Sequence, residues 1–252
     1  MLRFFLALAL AAATSARALP DSAQADDIAR IDPPEKAFFS KVTYYRGIPI
    51  KSSKEVADEA LLAARARLAM MLTNLPEVCE KLRVARAELH IIGRNQVTSD
   101  LPEWRYEKGQ PLAEYNGLTL DQRTRGMGGK ICSCGEENLL KLEKDRYFGR
   151  DICVHEFSHC IYQFGIPPAL RDRFRQQYKA SLAKGLWQGA YAASNEDEFF
   201  AELCMWYFGT HGDLHIAGPK PGNGPLGLKS YDPEAFALFD GLFGGRMKVS
   251  LP

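Results

Sequence analysis

Val154-His155-Glu156-Phe157-Ser158-His159-Cys160 is the stretch whose reading decides the fold. On an α-helix, positions four apart share a face, one turn from each other, so His155 and His159 can turn imidazole nitrogens towards a single ion. Glu156 lies one position round. Its carboxylate then falls beside the ion's open position rather than on the ion, where it can take a proton from water. Two histidines and a glutamate at fixed places also arise by chance, so the surrounding chain has to decide whether this is half of a zinc site.

The flanks mark a helix at both ends. It should start near Gly149-Arg150-Asp151 and stop at Gly165, followed by Pro167-Pro168, which cannot continue it. Downstream, Pro168 to about Lys184 reads as a more polar amphipathic helix. Ser194-Asn195 can cap another from Glu196 to Phe208. Residues 209–230 read as Gly/Pro-rich loop, and Asp232 with Pro233 at the first helical position opens a last helix. Upstream, KVTYYRGIPI (residues 41–50) has strand composition with a turn at Gly47. Ser52 or Ser53 can cap a helix to about Leu72, with Val56, Ala60, Leu61, Ala64 and Leu68 as its apolar stripe. RVARAELHII (83–92) alternates as a strand does, with His90 a packed or surface residue given no role. Residues 94–126 read as loops around a short strand, and a second short strand is expected at Lys130–Cys134. There is no internal repeat.

Composition bounds the rest. Of 252 residues, 46% are hydrophobic and 25% charged, which is ordinary globular usage. Residues 1–18 read as a signal peptide: Arg3 as a positive start, an apolar run from Phe4 to Ala13, and Ala16-Arg17-Ala18 as the cleavage site. The run is far short of the roughly 20 residues a spanning helix needs, so an exported protein, secreted or periplasmic, is expected rather than an anchored one. Without Arg3 and Arg17 the balance is 30 basic to 31 acidic, net −1, which argues against nucleic acid or an anionic membrane as partner. Residues 19–40, acidic at first and carrying Pro33-Pro34, read as an extension or linker, with the catalytic domain over 41–252. Six cysteines, Cys79, Cys132, Cys134, Cys153, Cys160 and Cys204, suggest disulfides in an exported chain, with connectivity open. On the helix Cys153 and Cys160 point away from the two histidines, and a bridge to Cys204 is one option.

A catalytic zinc site takes three protein ligands and a water. The metzincin signature would need Gly at position 162 and His at 165, whereas the chain has Tyr162 and Gly165. The remaining candidates are Glu198 and Glu202 in Asn195-Glu196-Asp197-Glu198-Phe199-Phe200-Ala201-Glu202. They are one turn apart, so one can ligate while the other accepts the free ring N–H of a ligating histidine. His211 and His215 fall in the Gly/Pro-rich loop, where such residues are more often at the surface.

HEFSH, Tyr191 and the NExEFFAE run together resemble the lethal-factor-like gluzincins, the group of the anthrax lethal factor catalytic domain and the secreted Pro-Pro endopeptidases. The resemblance covers roughly Asp151 to Phe208. It implies that His155, His159 and Glu198 bind one Zn2+, that Glu156 is the general base, and that Tyr191 donates a hydrogen bond to the developing oxyanion; Glu202 is then the carboxylate left to accept the free ring N–H of a ligating histidine. It further implies that the strand before the helix, around Lys130–Cys134, is an edge that pairs with an extended peptide or protein substrate. The expectation is an α+β zincin-like domain, with a small mixed sheet plus helices and a mainly helical C-terminal lobe, acting as a monomeric zinc endopeptidase. A catalytically silent binding protein of the same fold, or a zinc hydrolase of non-peptide amides, are the alternatives.

Overall fold

The computed structural model describes residues 28–211 and 221–249; the expected signal peptide lies outside them, as does His215. The strands are β1 (Ala29–Glu35), β2 (Phe39–Tyr45), β3 (Ile48–Ser52), β4 (Glu88–Ile92), β5 (Gly126–Met127) and β6 (Ile131–Gly135). The helices are α1 (Asp58–Leu72), α2 (Pro76–Val84), α3 (Leu120–Arg123), α4 (Glu136–Leu139), α5 (Ile152–Cys160), α6 (Pro168–Ala183), α7 (Glu196–Tyr207), α8 (Pro225–Tyr231) and α9 (Pro233–Phe243).

One mixed sheet carries the first lobe, in the order β1-β2-β3-β4-β6-β5. Strands β2 and β3 are joined by two residues, Arg46 and Gly47, both at positive φ (45° and 80°). That conformation matches the twist of the strands it joins and explains a glycine at the turn. The parallel pairs β3-β4 and β4-β6 need crossovers, and α1 with α2 supplies the first. Ala60, Leu61, Ala64 and Leu68 of α1 are fully buried in one core with Ile48, Ile50, Leu89 and Ile91. The second lobe is helical and aromatic: Phe174 of α6, Phe199 and Phe200 of α7 and Phe239 of α9 meet at ring separations of 4.9–5.5 Å, Phe199 through Tyr178. At its centre Asp232 is fully buried, capping α9 through Ala235 N (3.1 Å) and accepting from Trp187 Nε1 (2.9 Å) and Ser181 Oγ (2.5 Å).

Alternation along β4 sends Glu88 and His90 to the face opposite Leu89 and Ile91. There His90, fully buried, lies between Glu103 Oε1 (2.6 Å from Nδ1) and Glu88 Oε2 (2.9 Å from Nε2), and Lys51 reaches Glu88 (2.8 Å) and Glu35 (3.0 Å). Burial opposes a charge on His90, but the two carboxylates outweigh it and raise its pKa. Glu88 is held at about 2: burial alone would raise it, and His90 and Lys51 more than reverse that.

Several expectations need correction. The strand β1 falls inside the stretch read as an extension; it pairs with β2 through its backbone while its side chains stay mostly exposed, so no alternation marks it. The expected strand at 83–92 begins only at Glu88, because α2 runs through Val84. Ser52 belongs to β3, and α1 starts at Asp58 with no side-chain cap. Residues 225–230, read as loop, belong to α8, which ends at Tyr231. All six cysteines are buried free thiols, not disulfides. Cys79 stands apart on α2, and Cys204 on α7 meets Ser158 rather than a sulfur. Cys132 and Cys134, two apart on β6, both turn to α5, where Cys132 faces Cys160 and Cys134 faces Cys153; burial and the facing sulfurs keep both thiols well above their usual pKa, hence protonated.

Candidate metal centre

The start of α5 is fixed from three directions. Asp151 caps it, accepting from Val154 N (3.1 Å), and is itself held by Arg67 Nε from α1 (2.6 Å). Asn138 of α4 accepts from Ile152 N (2.8 Å) and donates to Arg150 O (2.7 Å). After Cys160 the helix widens into a π turn, Ile161–Gly165, closed by Ile166 N donating to Ile161 O (3.0 Å). A Cβ on Gly165 would lie 2.7 Å from Val78 Cγ1, so the glycine that ends the helix also lets it pack on α2. Helix α7 packs across α5 and is capped by Asn195, whose Oδ1 accepts from Glu198 N at 2.9 Å.

This crossing brings three ligand atoms together. His155 Nε2 and His159 Nε2 are 3.3 Å apart, and Glu198 Oε2 stands 3.1 Å from the first and 3.6 Å from the second. Atoms bound about 2.0–2.1 Å from one tetrahedral ion stand about 3.3–3.4 Å from each other. The observed triangle has those dimensions. Glu198 Oε2 is buried yet receives no aligned hydrogen bond from the described residues, although both nitrogens are near, as befits groups directed at a common point rather than at one another. The donor set thus fits a zinc ion. Glu156 offers a carboxylate oxygen within 4.8 Å of both imidazole ligand atoms.

The electrostatics follow from crowding. Burial opposes charge on His155, but Glu198 and Glu202, reinforced by Glu156, push its pKa up to about 10 where no metal competes for its nitrogen. Glu198 is pulled down to about 2, its burial outweighed by the two histidines. Glu156 is raised, chiefly by burial, against the pull of His155 and His159. Burial, then the field of Glu198, moves Tyr191 up to about 12, so its phenol keeps its proton.

These groups line one cleft of about 680 Å³ between the lobes. Tyr191 enters it from a single 3-10 turn just ahead of α7, half-exposed, its ring 6.3 Å from that of His155. Arg123, at the end of α3, lies over the Tyr115 ring (5.8 Å) and beside the Tyr191 hydroxyl. Gly126, Met127, Gly128 and Gly129 form the rim. A Cβ on Gly126 would be 2.9 Å from Glu156 Oε1, and one on Gly128 would be 2.8 Å from the His159 ring.

The expected ligands, base and tyrosine therefore share one site, with Glu202 behind it: its Oε1 stands 3.1 Å from His155 Nδ1. The expected edge strand does not hold. Strand β6 is covered at Ser133 and Cys134 by β5, which pairs Gly126 with Cys134 and Met127 with Ser133, so over that part β5 is the edge beside the candidate metal centre. His211 is not a surface residue; it is fully buried with Nε2 2.9 Å from Glu202 Oε2. Arg123, Arg150, Gly126 and Gly128 carried no signal in the sequence, since their neighbours arrive from other elements.

Architecture and site together have the form of a zincin-like metallopeptidase fold, an α+β arrangement with a mixed sheet and a helical lobe. Among the solved structures it is similar to is a Pro-Pro endopeptidase from Paenibacillus alvei, at a TM-score of 0.57 and 17% sequence identity, over 79% of this chain and 98% of that one. At that identity the likeness is one of fold. No family model and no curated protein matches the sequence.

Proposed function

We propose that the chain is an exported zinc-dependent endopeptidase of the gluzincin type, with His155, His159 and Glu198 as ligands. The observation that carries this reading is the ligand triangle of 3.1, 3.3 and 3.6 Å, with Glu156 and Tyr191 on the cleft side of it. The likeness to an endopeptidase supports the same class. A bound zinc ion would supply Lewis acidity, polarising the scissile carbonyl and acidifying water. Glu156, its pKa raised by burial, takes a proton from the attacking water and returns it to the leaving amine. Tyr191 keeps its proton and donates to the developing oxyanion. The substrate backbone lies along β5 and Gly128-Gly129, where an edge strand offers backbone donors and acceptors and three of the four rim residues are glycines.

The test is incubation of the zinc-loaded protein with a diverse peptide library, with products read by mass spectrometry. Cleavage by the wild type that Glu156→Gln abolishes is the expected result. No cleavage, or equal cleavage by the variant, rejects the peptidase reading.

A further inference from the structure

Glu202 is fully buried, and both its oxygens are engaged. Oε1 faces His155 Nδ1 at 3.1 Å and the guanidinium of Arg150, the residue just before the α5 cap; Oε2 meets His211 Nε2 at 2.9 Å. His211 is itself immobilised. It lies flat on Trp206, rings 3.5 Å apart and 15° from parallel, and its backbone N–H donates to Asn223 Oδ1 at 3.3 Å. The residue before it, Thr210, accepts from Asp151 N at 2.9 Å, which joins this segment to the start of α5.

A carboxylate held at one oxygen only can swing about its last torsion. Held at Oε2 by His211 and at Oε1 by Arg150, Glu202 keeps Oε1 3.1 Å from His155 Nδ1, a buried nitrogen that has no aligned hydrogen bond among the described residues and for which this carboxylate is the acceptor at hand. An acceptor fixed there requires the proton of His155 on Nδ1, which leaves the lone pair of Nε2 for the ion. Arg150 adds a positive charge beside a carboxylate that would otherwise be buried one helical turn from Glu198 with only histidines facing it.

We propose that His211 is a positioning residue for the metal centre: with Arg150 it clamps Glu202, and through it sets the tautomer and aim of His155, so that zinc retention depends on a residue that touches no metal. This rests on His155 being a zinc ligand, and the test separates the two ideas. The full chain is stripped of metal, and zinc is titrated back against a competing fluorescent chelator. Wild type, Glu198→Gln and three substitutions at His211 are compared. His211→Phe keeps a ring on Trp206 and loses the donor. His211→Gln places an amide N–H where Nε2 stands. His211→Asn is too short to reach Glu202.

The Phe and Asn variants are expected to hold zinc about tenfold more weakly, the lower end of the loss seen for groups behind a metal ligand, while Gln restores it to within about threefold. A structural role alone would lower the metal-free unfolding midpoint and leave the affinity of the folded fraction unchanged. Should the Phe variant fail to fold, the contrast of Asn with Gln decides. Phe or Asn binding zinc as tightly as wild type, or Gln binding no better than Asn, overturns the proposal. Wild type and Glu198→Gln binding zinc equally weakly overturns the metal site, and the clamp with it.

Discussion

Gly128→Ala tests how closely the cleft rim is fitted to the ligands. The added methyl would stand 2.8 Å from His159 Cδ2, 2.9 Å from its Cβ and 3.0 Å from its Cγ. Carbon atoms rest about 3.5–4.0 Å apart, so roughly 0.7 Å of overlap must be relieved. Turning the imidazole cannot relieve it, because the Cβ is also in the way; the rim and α5 must part, or the helix must shift. Overpacking of this kind costs about 1–3 kcal/mol. The shift falls on an atom group whose separations from its partners are only 3.3 and 3.6 Å. Misplacement by about 1 Å can cost about 100-fold in rate, so a shift of most of that should weaken zinc binding by about tenfold and activity by more. Gly129→Ala is the control: its φ of 111° makes alanine strained, by about 1–3 kcal/mol, but nothing lies within 4 Å of the new methyl. Urea unfolding of the metal-free proteins and chelator competition for zinc give the two readouts. Both variants should lose stability and only Gly128→Ala should lose zinc. Unchanged zinc affinity in Gly128→Ala, or an equal loss in Gly129→Ala, refutes the reasoning.

Other outcomes follow from the same geometry. Tyr191→Phe should lower kcat by about 100-fold or more, with zinc affinity unchanged, if one oxyanion donor is removed; a near-normal kcat refutes that role. Asp232→Ala strands the buried donors of Trp187 and Ser181 and uncaps α9, and should cost about 3–5 kcal/mol in denaturant unfolding; a loss under about 1 kcal/mol is inconsistent with the buried network. Glu88, at about 2 in the folded chain against 4.5 unfolded, contributes stability that is complete above pH 4.5 and lost as the pH falls towards 2. The full shift is worth about 3 kcal/mol, reduced by partial solvation to about 1–2. Glu88→Gln should therefore destabilise at pH 7 and differ less from wild type at pH 3. His90 has the opposite sign: its raised pKa stabilises fully below 6.5, and that contribution is lost as the pH rises through the folded value.

What could be read in advance had local causes. Asp151, Gly165, Asn195 and Asp232 bound their helices as the sequence suggests, because caps and stops act within a turn of themselves. The pairing of His155 and His159 was legible because a helix converts a spacing of four into proximity. Sheet order has no such local rule: β6 is covered by a two-residue strand, Gly126–Met127, too short to show a period. β1, with two prolines and exposed side chains, forms because the backbone of β2 pairs with it, against its own composition. His211 stood in a glycine-rich stretch with nothing to mark it. It reaches Glu202 only because α7 ends at Tyr207 and the chain reverses at Gly209, where φ is 69°.

The crossing of α5 and α7 also has a consequence for how the chain holds together. His155 and Glu198 come from segments separated by about 40 residues, with the whole of α6 between them, so an ion shared by both closes a long loop. In an unfolded chain that closure would cost about 4 kcal/mol of configurational freedom if the ion stayed bound. A zinc ion held there would be a tether as well as a reagent: without it α5 and α7 are joined by packing and by a few polar links, the Arg150–Glu202 ion pair and the Asp151–Thr210 hydrogen bond among them, and that joint is where the metal-free protein should first come apart.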